Sequence, residues 1–125
     1  MVIPDLDGRE FLGVVNYDDG DANRDTRFHY HQDGRRVWGT YQGGNVQFGS
    51  VVAIVNDAGH LDLLWQYVNR DGRLSCGTCL SVPELLPDGR YRLHETWSIT
   101  AGQGQGDSGT SVIEEIKPLR KGLFH

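Results

Sequence analysis

A chain of 125 residues can bury about two-thirds of its unfolded surface, so one domain over residues 1–125 is expected, with a core that needs no metal or disulfide staple. Its formal net charge of −5 leaves no broad basic face, which speaks against nucleic acid or an anionic membrane as the main partner. Two cysteines are too few for a disulfide framework, no apolar run is long enough to span a bilayer, and the N-terminal MVIPDLDGREF has neither a basic leader nor an apolar signal core, which predicts a cytoplasmic protein.

The first β-rich run is FLGVVNY (11–17), followed by the acidic loop DDGDANRD. Asp19, Asp21, Asn23 and Asp25 alternate there like the oxygen ligands of a calcium loop, but Arg24 takes the glycine position and Tyr30 the bidentate glutamate position. A solvated hairpin loop is therefore expected. TRFHYH (26–31) puts Arg27, His29 and His31 on one face and Phe28 and Tyr30 on the other. A metal there would have to recruit His60 or His94 from another strand, and nothing in the spacing requires it, so no metal site is expected.

RVWGTY (36–41), VQFGSVVAIV (46–55) and HLDLLWQYV (60–68) follow. Alternation is clearest in the last, where Leu61, Leu63, Trp65 and Tyr67 oppose Asp62 and Gln66. RLSCGTCLSV (73–82) carries Cys76 and Cys79 at CxxC spacing. One such pair is half a zinc shell, and in an extended strand the thiols point to opposite faces, so both are expected to be reduced and to coordinate nothing. Pro83 cannot donate to a ladder and is expected to end or bulge this strand, leaving a lateral gap nearby.

RYRLHETWSI (90–99) sets Tyr91, Leu93 and Trp97 against Arg90, Arg92 and Thr96. The glycine-rich AGQGQGDSG (101–109) leads into TSVIEEIKP, a β-branched alternating run ended by Pro118, so no helix N-terminus is available to hold a phosphate. Its GDSG resembles a protease nucleophile turn, but the chain is too short for the two barrels that turn serves. A flexible hairpin loop accounts for the segment. TSVIEEIK (110–117) is the last run, and the tail KPLRKGLFH has room for a turn of helix.

The runs number eight, joined by turn signals such as QDG, QGG, NDAG, RDG and PDG that supply positive φ. This pattern predicts an all-β fold, a single antiparallel up-and-down meander barrel of about eight strands, closed to remove its edges. Such a lumen is either filled by side chains or holds one small ligand. The apolar phase assigned to it comprises Phe28, Tyr30, Val37, Tyr41, Phe48, Leu61, Leu63, Trp65, Tyr67, Leu93 and Trp97, with Glu95 inward between the last two. A buried carboxylate needs a partner or a raised pKa, so Glu95 is half of an internal ion pair or the polar anchor of a pocket.

The motifs FHYHQ, VWGTYQGG, VQFG, LDLLWQYVN, LSCGTC, RLHETW and SVIEE, in this order across nearly the whole chain, resemble a small family of bacterial proteins of about this length. Its members commonly carry the label N-acetylglutamate synthase and have no settled activity. The resemblance implies a calycin-like barrel, of lipocalin or avidin type.

Three functions remain open at this point. The first is a small-molecule-binding barrel, cofactor-free, with ligand-binding residues Tyr30, Tyr41, Trp65, Tyr67, Glu95 and Trp97. The second is a small enzyme using Glu95 or a histidine as acid or base, for which no catalytic nucleophile can be named. The third is a filled barrel acting as an interaction module. The state of the lumen discriminates them: an aromatic-lined void, a cleft where His29, His31 or His94 converges on Glu95, or no space at all.

Overall fold

The computed structural model describes residues 2–18 and 20–117. Eight antiparallel strands follow one another: β1 (Glu10–Val15), β2 (Arg27–Asp33), β3 (Arg36–Gly43), β4 (Val46–Val55), β5 (Leu61–Asn69), β6 (Leu74–Leu85), β7 (Tyr91–Gly102) and β8 (Ser108–Glu115). Each pairs with its neighbours in sequence, and β8 returns to β1, closing the barrel. The expected meander is thus the fold. The tail from Pro118 onward, where a turn of helix was expected, lies outside the described residues, as does Asp19 of the acidic loop.

Two expectations about strand interiors are corrected. Pro83 neither ends β6 nor bulges it, although the flank beside it is open as expected: the strand continues to Leu85, with Pro83 opposite Leu93. The pairing of β5 with β6 stops at Leu61 and Ser81, so beyond Ser81 one flank of β6 is unpaired and a missing N–H costs no ladder bond. Phe48 points outward and is 53% exposed. A register shift between Val46 and Phe48 lets Val46 enter the core while Phe48 falls into the outer phase with Val52 and Ile54.

One end of the barrel is closed. Leu6, Phe11, Val37, Leu61, Leu93 and Ile113 are fully buried there, and the Phe11 ring meets Tyr30 at 5.3 Å. The segment before β1 forms the plug, and Gln32 clamps it. The Gln32 side chain accepts from the Leu6 N–H at 2.8 Å and donates to the Pro4 carbonyl at 2.7 Å. Asp7 accepts the Gln32 N–H at 2.9 Å, and Gly8 donates to the Tyr30 carbonyl at 2.9 Å. These bonds give backbone groups of the plug partners on β2 where it enters the barrel.

Candidate functional site

Toward the other end, the inward phase surrounds a cavity of about 200 Å³. Tyr30 of β2, Tyr41 of β3, Trp65 and Tyr67 of β5, and Glu95 and Trp97 of β7 all line it, so the six residues singled out from sequence meet in one place. Phe28 stacks on Tyr41 at 5.0 Å and Trp65 on Tyr67 at 5.8 Å, while Tyr67 meets Tyr41 edge-on at 6.3 Å. These offset and edge contacts are the favourable ones for aromatic pairs and fix the rings against each other.

Glycines across the ladder explain why so many rings fit. Tyr30 lies directly opposite Gly39, Tyr41 opposite Gly49, Trp65 opposite Gly77 and Trp97 opposite Gly109. A Cβ added at Gly77 or Gly109 would come within 2.6 Å of the indole facing it, and one at Gly49 would enter the Tyr41 ring. Each large ring thus lies over bare backbone on the neighbouring strand. The wall is thick with aromatic surface and the middle of the lumen stays open.

Glu95 is only 9% exposed. Its Oε1 accepts two neutral hydrogen bonds, from the Tyr17 hydroxyl at 2.7 Å and from Ser111 Oγ at 2.8 Å. No donor among the described residues reaches Oε2. Burial pushes the carboxyl above its ordinary range, and the two hydrogen bonds pull it partly back. The ion-pair alternative is therefore corrected: among the described residues no Arg, Lys or His lines the cavity. Ser81, directly opposite Glu95 on β6, is fully buried, and its Oγ has no partner among the described residues.

Tyr17 and Asp21 come from the β1–β2 connection, which folds over the mouth. Asn16, at φ 60°, turns the chain back, and Gly13 leaves the space that the Tyr17 ring occupies. Asp21 accepts from Tyr67 Oη at 2.9 Å, from Asn69 Nδ2 at 3.2 Å and from Asn45 Nδ2 at 2.8 Å. Asn69 also donates to Gln103 Oε1 at 3.1 Å, which ties the β7–β8 hairpin to the same cluster. The loop is exposed at Asp18, Gly20, Arg24 and Asp25, as expected, and is stapled to the barrel rim through Asp21. Burial and the Asp21 bond hold the Tyr67 phenol up at about 12.

The remaining candidates lie elsewhere or are inert. His29 and His31 are on the outer face with ring centroids 4.6 Å apart, and His31 stacks on Trp38 at 5.9 Å. His94 is also outside, with Nε2 2.8 Å from Glu84 Oε1. None of the three approaches Glu95 through the lumen. Cys76 and Cys79 are unbridged, and Cys79 lines the cavity with its thiol pushed well up by burial and by Glu95, which keeps it protonated.

Sequence reasoning passed over Tyr17, Asp21 and Ser111. Ser111 was within reach, because it shares the inward phase with Ile113. Tyr17 follows a register shift in β1, and Asp21 depends on a loop path, so period-two alternation carried no signal for either.

A family model described as "Avidin-like protein" matches residues 4–116, nearly the whole chain. No curated protein matches it.

Proposed function

The chain belongs to the avidin-like family, and from that premise we propose that its barrel binds one small molecule in the lumen, held between aromatic walls and oriented by Glu95. The observation that carries this reading is Glu95, a largely buried side chain that lines the aromatic cavity and whose Oε2 takes no donor from the described residues. A carboxylate that keeps one oxygen free of protein donors on the wall of an apolar cavity has the character of a ligand contact. At about 200 Å³ the cavity suits a compact molecule, since pockets for drug-sized ligands measure roughly 300–1,000 Å³.

The same geometry supports binding over the other two readings. A filled interaction module has no use for an open lumen rimmed by a stapled loop. Acid–base chemistry needs a second group in reach of the first, and the histidines lie on the outer face, while Tyr17 and Ser111 already spend their hydroxyl protons on Glu95.

Native mass spectrometry of freshly purified protein tests the reading. A mass increment of one small molecule per chain is expected, lost on denaturation and weakened in Glu95→Gln. A native mass equal to that of the bare chain, together with a density map showing only ordered water at Oε2, would sink it.

A further inference from the structure

We propose that the ligand of this lumen is a small organic cation, an ammonium or amidinium group carried on an apolar body. The inference rests on the binding reading above and adds the ligand's charge and polarity.

Three observations converge on it. First, the carboxylates at the cavity are uncompensated: Glu95 sits deep, Asp21 sits at the mouth, and among the described residues no basic side chain lines the space. An anionic ligand would meet like charge with nothing to offset it, so the site selects against anions by construction. Second, the two carboxylates differ in their free valence. Asp21 already accepts from Tyr67, Asn69 and Asn45, whereas Glu95 receives both of its donors on Oε1 and, among the described residues, none on Oε2. Asp21 therefore adds to the field, and Glu95 is the direct partner for a donor-rich group. Third, the cavity that Glu95 lines is walled by aromatic rings. Tyr41, Trp65, Tyr67 and Trp97 offer electron-rich surfaces, and a desolvated cation gains from each ring centroid that it approaches within about 6 Å.

An aromatic enclosure with one free carboxylate oxygen is what a cation with a hydrophobic body requires. The body replaces water along the rings, and the charge meets both Oε2 and the π faces. A neutral hydroxyl would satisfy Oε2 but would gain nothing from the field or the quadrupoles, which makes it the right comparison in a test.

The experiment uses the full chain and three probes of nearly equal shape: benzylammonium, benzyl alcohol and benzoate, titrated against intrinsic tryptophan fluorescence at neutral pH. Benzylammonium should bind roughly tenfold more tightly than benzyl alcohol, with benzoate weakest. In Glu95→Gln, which keeps the shape, the preference for the cation over the alcohol should fall by about the same factor while both still bind. The wild-type series stands without any variant, so a folding defect in Glu95→Gln would not blunt it. Equal or tighter binding of the alcohol or benzoate would overturn the cation inference and leave the binding reading standing. No response to any of the three, with no ligand retained in the native mass, would overturn both.

Discussion

At the closed end of the barrel Val37 faces Ala53 across the ladder, Val55 faces Leu61 and Leu93 faces Ile113. At the open end Tyr41, Trp65 and Trp97 each face a glycine. Both sets obey the same inward alternation, yet one fills the lumen and the other walls it. The difference teaches that pairing across strands, more than the hydrophobicity of any one strand, decides whether a barrel of this size has a core or a cavity. Truncation should separate the two ends most sharply. Phe11→Ala deletes a fully buried ring in close packing and should cost about 3–5 kcal/mol, read from urea denaturation, with the fluorescence response to ligand intact. Trp97→Ala removes a partly buried ring beside space that already exists, so about 1–3 kcal/mol is expected, together with loss of much of the ligand response. Equal losses at the two ends would break the comparison.

A gentler change attacks the glycine side. At Gly109 the three atoms nearest an added Cβ all belong to the Trp97 indole, at 2.6–3.2 Å, whereas at Gly77 it would also strike the Ser98 carbonyl. Gly109→Ala should therefore be accommodated by the indole, which must swing off the wall toward the centre of the lumen. The expected result is a loss of about 1–3 kcal/mol in stability and weaker binding of any probe that wild type takes. A crystal structure of the variant with Trp97 unmoved and the cavity unchanged would show that the glycine does not shape the pocket.

How much of this was legible in the sequence follows from the same contrast. The strands, their order and the inward phase could be read because alternation and Asp-Gly or Gly-Gly turns are local signals, and Trp65, Glu95 and Trp97 were correctly set inward on that basis. Phe48 was misplaced because one extra residue in β4 flips the phase, and extra residues leave no mark in composition. Pro83 was misjudged because its tolerance depends on where β5 stops pairing, a property of the neighbour. Tyr17 and Asp21 were not found because their positions are set by the path of a loop over the mouth. The glycines opposite the rings were visible as residues, but their role needs the register between strands, which only the assembled barrel fixes.

The smallest effect expected is also the one that probes the polarity of the open end. Glu95 has a folded-state pKa raised above its unfolded value, chiefly by burial. Between those two values the folded chain holds a proton that the unfolded chain has released, so the slope of unfolding free energy with pH is negative. This contribution is fully present below the unfolded carboxyl value, about 4.5, and is lost as pH rises through the folded one. Glu95→Gln cannot titrate, and its amide oxygen can still accept from Tyr17 and Ser111, because both donors converge on one oxygen. The variant should match wild type below the unfolded carboxyl value and be the more stable of the two once pH has risen through the folded one. Glu114, held below its usual range by Arg92 and Arg90, and Asp88, held down by Arg90, push wild-type stability the other way on acidification. They are common to both proteins and cancel in the difference, which is the quantity to plot. Parallel curves would mean that Glu95 ionises as readily in the barrel as in the unfolded chain. The open end would then be wet enough to solvate a carboxylate, and its contrast with the dry closed end would rest on shape alone.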